Sequence, residues 1–217
     1  MRVGVCIPCH APHLEHLNEC LRSIDAQTVK PSVIAISLSS YSNATPPPLT
    51  STVPIRWTIT ADRLCAAANR NRAAASIAEE VDILSCIDAD DWMCERRIEL
   101  IVKHFVKHGL DVLLHNTIQV KRGSSTQDLC AELEAECYTA PFMVGRDSVC
   151  GRVWYVGNTG QRDLGTCGHV SVSTAFWKKQ PCVEGYGMGE DSEYIWRLKM
   201  AGAKLGFTND RLSVYVR

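Results

Sequence analysis

Over its first 120 residues the chain alternates short apolar runs with helix-length amphipathic segments, and this alternation limits the fold more than any other feature. Val3 to Ile7 reads as a buried strand closed by Pro8, after which Pro12 opens a helix with Leu14, Leu17, Leu21 and Ile24 at helical spacing. Ser32 to Leu38 and Ile55 to Thr60 read as two further strands. The Ser-, Thr- and Pro-rich segment between them, centred on Pro46-Pro47-Pro48, must be loop. An alanine-rich helix from Leu64 to Glu80 leads into the apolar strand Val81 to Ile87. Trp92 to His108 reads as a helix ended by Gly109 at its C′ position, and Asp111 to Val120 as a strand. The order β-α-β-β-α-β-α-β predicts an α/β sheet covered by helices.

The second half is less regular. Gly145 to Gly168 holds six glycines and reads as a long loop or lid. His169 to Val172 resembles a strand, and Glu190 to Ala201 a helix with Tyr194, Ile195 and Leu198 on one face, followed by Gly202. No internal repeat is visible, and the Pro-rich loop is not a linker because a strand follows at once. A chain of 217 residues therefore fits a single domain, 1–217.

Charge and composition remove several function classes. Lys+Arg (23) and Asp+Glu (24) nearly cancel, so no global field points to nucleic acid or to a membrane surface. The longest apolar runs are strand-length, which predicts no transmembrane segment. No charged–apolar–cleavage pattern opens the chain, and eleven cysteines are an odd count, so the expectation is free thiols in a reducing cytoplasm. Cys6-Ile7-Pro8-Cys9 has CxxC spacing, but a structural zinc site wants a second such pair and none is present.

The most informative stretch is Ile83-Leu84-Ser85-Cys86-Ile87-Asp88-Ala89-Asp90-Asp91-Trp92, an apolar strand that ends in three carboxylates within four positions. Open α/β sheets bind ligands beyond the carboxyl ends of their strands. Crowded acids raise one another's pKa unless a cation lies among them, and oxygen ligands suit Mg²⁺ or Mn²⁺, which in turn bind phosphates. Asp91 alone has a simpler account, as acceptor for the backbone N–H groups opening a helix at Trp92. That account leaves Asp88 and Asp90 unexplained.

A second constellation, Gly187-Met188-Gly189-Glu190-Asp191-Ser192-Glu193, sets three acids at a helix start behind a glycine turn. The helix dipole favours acids there in any protein. The alternative is that one carboxylate faces a substrate hydroxyl as general base. Taken together, the two constellations supply a metal for a phosphate leaving group and a base for the incoming nucleophile, which is what displacement at a glycosyl carbon requires.

With these pieces in hand, the chain resembles a GT-A fold glycosyltransferase of the inverting family 2 type. The resemblance rests on Val5-Cys6-Ile7-Pro8, on Leu21-Arg22-Ser23-Ile24-Asp25-Ala26-Gln27-Thr28, and on Ala68-Asn69-Arg70-Asn71. It continues through Ile87-Asp88-Ala89-Asp90-Asp91 and Gly189-Glu190-Asp191-Ser192-Glu193, in that order. It implies a Rossmann-like mixed sheet flanked by helices, with 1–120 binding the nucleotide sugar and 121–217 the acceptor. By the same resemblance, Pro8 lines the nucleobase pocket, Arg70 faces the base or the phosphates, and Asp88 approaches the ribose or the metal with Ala89 beside it. Asp90 ligates Mn²⁺ or Mg²⁺, Asp191 is the catalytic base, and Glu190 lies nearer the acceptor. One departure stands out: the acid that commonly ends the second strand is replaced by Ser37-Leu38-Ser39-Ser40, which leaves a hydroxyl such as Ser39, or Asp62, for that contact.

The implied partners are a UDP-sugar donor and a glycan or other hydroxyl acceptor, with no nucleic acid. His169 and the aromatics Trp154, Tyr155 and Trp177 are acceptor-side candidates, although a lone histidine is commonly structural and aromatics equally fill a core. Two other functions compete. A nucleotidyltransferase would show a glycine-rich basic loop after its first strand, and Pro8-Cys9-His10-Ala11-Pro12 is unlike that. A non-catalytic carbohydrate-binding module on the same fold would have no need of both acidic clusters.

Overall fold

A computed structural model of the chain describes residues 1–121, 169–185 and 189–216, together with the backbone of four short strands between 137 and 163. The strands are β1 (Val3–His10), β2 (Val33–Ser39), β3 (Ile55–Ile59), β4 (Ile83–Cys86), β5 (Trp92–Met93), β6 (Val112–Val120), β7 (Cys137–Tyr138), β8 (Met143–Arg146), β9 (Val153–Val156), β10 (Arg162–Asp163), β11 (Ser171–Ser173) and β12 (Leu205–Val216). The helices are α1 (Leu14–Asp25), α2 (Ala66–Ile77), α3 (Arg97–His108), α4 (Thr174–Lys179) and α5 (Glu190–Met200). The main sheet runs β3-β2-β1-β4-β11-β6-β12-β5, with β7 also paired to β12, and β10-β9-β8 form a small second sheet. Strands β1 to β4 pair in parallel, whereas β11 runs antiparallel to both β4 and β6. The sheet is therefore mixed, as expected for a GT-A fold, and no helix among the described residues is long and apolar enough to cross a membrane.

Two apolar layers sandwich this sheet. One joins Leu17, Leu21 and Ile24 of α1 with Ile98, Ile101 and Phe105 of α3 against Val3, Val5 and Ile7 of β1. The other joins Ala73, Ala74 and Ile77 of α2 with Tyr194, Ile195 and Leu198 of α5. The period-2 alternation of β1 and the 3.6-residue spacing of the helices direct these side chains to opposite faces. Small residues set the spacing on the α2 side, where a Cβ at Gly4 would collide with Ile77 Cδ1.

Several expected boundaries shift, each for a nonlocal reason. Strand β1 continues through Pro8 to His10. Cys6 O accepts from Ile87 N at 3.1 Å, so the even positions face β4, and β4 ends at Cys86 before Pro8 would need a partner on that side. The helix expected from Trp92 begins only at Arg97, because Trp92 and Met93 pair antiparallel with Val214 and Ser213. Fully buried Arg97 anchors that turn, donating to Ser213 Oγ at 2.7 Å, Ser85 Oγ at 3.1 Å, Cys86 O at 2.6 Å and His169 O at 3.1 Å. Burial pulls its guanidinium pKa down to about 10, with Cys86, Cys20, Asp91 and Asp88 opposing only in part.

The stretch Gly145 to Gly168, expected as one loop, contains β9, β10 and part of β8; its other residues lie outside those described. Frequent glycines hid three short strands that, among the described residues, pair with one another. Cys6, Cys9, Cys20, Cys65, Cys86 and Cys182 are free. Cys94, by contrast, is disulfide-bonded, which corrects the expectation of free thiols throughout. An odd count guarantees one unpaired cysteine and forbids no pair.

Candidate functional site

The site forms where β1, β2 and β4 end, facing the starts of α2 and α5. Beyond Cys86 the chain turns, Asp91 N donating to Asp88 O at 3.1 Å, and this turn sends the three acids in different directions. Asp91 goes inward. At 1% exposure its Oδ2 accepts from His169 Nε2 at 2.8 Å and its Oδ1 from Val216 N at 2.8 Å. It does not cap a helix at Trp92, since no helix starts there.

Asp88 and Arg70 pair across the site. Arg70, almost fully buried on α2, donates to Asp88 Oδ1 at 2.9 Å and to Glu190 Oε1 at 2.8 Å. Burial alone would depress the guanidinium pKa, but Asp88, Cys86 and Glu190 outweigh it and push it up. Burial likewise favours a neutral Asp88, yet Arg70 and His169 hold its pKa below the usual carboxylate value. Asp88 therefore stays charged. The expectation that Arg70 faces the base or the phosphates meets a different geometry, in which its two terminal nitrogens are engaged by protein carboxylates.

Asp90 points outward, and its ion-pair partner among the described residues is His13. Ala89 between them is 3% exposed and packs into the core, so only its backbone can face a ligand.

Asp191 opens α5 behind Gly189, whose φ of 78° is the left-handed conformation that glycine adopts without strain. Its Oδ1 accepts from Ser192 N at 2.7 Å. Burial raises its pKa, and neighbouring Glu190 and Asp88 raise it further, against the lowering effects of that hydrogen bond and of Arg70. A carboxylate of raised pKa is a better proton acceptor. Arg70, Cys86, Trp177, Glu190, Asp191 and Tyr194 help to line a cavity of about 10 Å³. That space holds one water and no sugar, so an acceptor must approach from outside it.

The other expected residues are placed as follows. Pro8 is half-buried in β1 beside Ser37. Ser39 is fully buried, its hydroxyl donating to Cys9 O at 3.4 Å and accepting from Asn69 Nδ2 at 2.9 Å, so it supports the pocket wall instead of meeting a ligand. Asp62 is exposed, and its carbonyl accepts from Ser40 N at 2.9 Å. His169 is 1% exposed and committed to Asp91, which removes it from any acceptor surface. Trp154 lies in β9, with its side chain outside the described residues. Trp177 packs half-buried against the α2–α5 core.

Three further residues gather at the site, His10, His13 and Ser40, the last from the Ser37-Leu38-Ser39-Ser40 string. Ser40 holds a left-handed φ of 56° and bonds His10 Nε2 through its hydroxyl at 2.8 Å. His13 completes the set. The signal is the string His10-Ala11-Pro12-His13 where the first strand ends, beside the strand end that carries the acids. Beyond Ser40, a groove of about 430 Å³ runs between Tyr41, Asn43, Trp57 and Thr60, a volume within the range of small-ligand sites.

Which residues could hold a divalent cation follows from what each carboxylate already does. Asp88, Asp91 and His169 bring ligand atoms within 4.8 Å of one another, but Asp91 Oδ2 and His169 Nε2 already bond each other there. Asp90 is 30% exposed, and its oxygens suit Mg²⁺ or Mn²⁺.

Residues 4–153 match the family model described as glycosyl transferase family 2, more than half of the sequence, and the chain belongs to that family. No curated protein sequence matches it. Among solved structures it is similar to S. aureus TarS. The 1–349 segment bound to UDP-GlcNAc superposes with a TM-score of 0.67 at 15% identity, covering 100% of this chain and 59% of that one. The same segment with UDP gives a TM-score of 0.65 at 14% identity, covering 100% and 61%. TarS itself gives 0.67 at 15%, covering 100% and 37%. The shared feature is the GT-A fold, and the chain spans about 60% of the 1–349 segment.

Proposed function

We propose that the chain transfers a sugar from a UDP-sugar to an acceptor hydroxyl by a single inverting displacement. The observation that carries this is the Arg70 bridge, which brings Asp88 at the end of β4 to Glu190 at the start of α5, beside half-buried Asp191. Donor-side and acceptor-side acids thus share one site. UDP as the nucleotide is supported by the structural similarity to a protein that binds UDP and UDP-GlcNAc.

In this reading 1–120 holds the donor and 121–217 contributes the acceptor side, within one catalytic domain. Pro8 and exposed Asp62 flank the nucleobase, Asp88 meets the ribose, and Asp90, with Asp88 nearby, holds Mn²⁺ or Mg²⁺. Bound there, the ion would supply Lewis-acid stabilisation of the departing diphosphate, an effect of several kcal/mol. Asp191 takes the proton of the acceptor hydroxyl as its oxygen bonds to the anomeric carbon and the bond to the diphosphate breaks. The Ser192 backbone N–H, 2.7 Å from its Oδ1, holds that carboxylate in place.

The test is Asp191→Asn, assayed with a panel of UDP-sugars and acceptors once a productive pair is found. Transfer should fall about 10²–10⁴-fold with UDP affinity unchanged, and NMR of the wild-type product should show inverted anomeric configuration. Wild-type turnover by Asp191→Asn, or retained configuration, would remove the mechanism.

A further inference from the structure

We infer that His13 is a second protein ligand, with Asp90, of the cation that holds the donor diphosphate, so that the seat is a mixed nitrogen–oxygen one. The inference rests on the proposed function and concerns a residue outside the acidic motif.

The local geometry favours this. The 3-10 turn Ala11–His13 sets His13 at the N-cap of α1, where its side chain makes no capping hydrogen bond. Its imidazole is 49% exposed, and Nδ1 lies 3.4 Å from Asp90 Oδ2. That separation is long for a charge-assisted hydrogen bond, which closes to about 2.7–2.9 Å. It suits two ligands of one ion: bonds of about 2.1 Å meeting at an octahedral or tetrahedral angle put their donor atoms about 3.0–3.4 Å apart.

The competing groups are committed elsewhere. His10, with its ring centroid 6.4 Å from that of His13, spends Nε2 on Ser40. Asp91 Oδ2 and His169 Nε2 bond each other inside the fold, both residues 1% exposed. His16 faces Glu15 at 3.3 Å, on the helix beyond. An imidazole ligand shifts a site's preference away from Mg²⁺, which demands near-ideal oxygen octahedra, toward transition ions such as Mn²⁺ or Co²⁺.

The experiment is Mn²⁺ binding with saturating UDP, followed by electron paramagnetic resonance of the free ion and by electron spin-echo modulation of the bound ion. Wild-type protein should show a coupled imidazole ¹⁴N that disappears in His13→Ala, with Mn²⁺ affinity lower by about tenfold or more. The Mg²⁺ affinity, measured calorimetrically, should change less. If the wild-type complex lacks the ¹⁴N signal while Asp90→Asn abolishes Mn²⁺ binding, His13 is no ligand and the metal role of Asp90 stands. If Asp90→Asn leaves Mn²⁺ binding intact, the cation site itself is misplaced and this inference falls with it. The spin-echo measurement on wild type decides the matter even if His13→Ala folds poorly.

Discussion

Two aspartate–histidine pairs stand one residue apart in the same acidic string, and they do opposite things. Asp91 and His169 are each 1% exposed, meet at 2.8 Å, and have a further backbone donor on the carboxylate. Asp90 and His13 are 30% and 49% exposed and stand 3.4 Å apart. The chemistry of the partners is identical, so the difference lies in solvent and in spare coordination. A buried pair with every oxygen satisfied holds β4, β12 and the segment before β11 together, whereas an open pair keeps lone pairs for something else.

Mutations can break or sharpen this contrast. The largest effect is expected for Asp91→Ala, which strands a buried imidazole and an amide. A loss of about 3–5 kcal/mol, or roughly 6–20 °C in Tm for a chain of this size, should appear in thermal melts. An unchanged melt would mean the two pairs are alike after all. Asp90→Ala should stay within about 2 °C of wild type by the same measurement, since it leaves the interior intact. It should instead abolish the Mn²⁺-dependent rise in Tm on adding UDP, which in wild type is about 5–10 °C at a hundredfold excess over Kd.

The smallest and subtlest change concerns Asp191. Its pKa is raised in the folded state, so the native protein holds that proton more tightly than the unfolded chain, and the ionised form costs stability above the unfolded pKa. Asp191→Asn should therefore melt at the wild-type temperature or up to a few degrees above it near neutral pH, opposite in sign to Asp91→Ala. In wild type the acid limb of the transfer rate should lie above the pH at which an exposed aspartate titrates. A limb at or below the ordinary carboxylate value would deny Asp191 its role as base.

How far the sequence anticipates these positions depends on whether the deciding contact is local. The helices α1 and α2 and the strands β1 to β4 follow from apolar spacing, because each element buries its own stripe. Asp88, Arg70 and Glu190 were each notable alone, and the structure brings them together. The two-residue strand at Trp92 was hidden, since it exists only because β12 arrives 120 residues later to pair with it. The separate directions of Asp88, Asp90 and Asp91 were also hidden, being set by one tight turn. His169 looked like a surface candidate amid glycines, yet its partner is an aspartate 78 residues away.

The Arg70 bridge has one more consequence. In the proposed function a single guanidinium braces the carboxylate assigned to the incoming nucleotide, Asp88, and the one assigned to the acceptor side, Glu190. A change at position 70 would consequently disturb both substrates' KM values in one stroke, and the two substrates would not behave as independent tenants of the cleft. Kinetic coupling between them would then be a property of the resting enzyme, present before either has arrived.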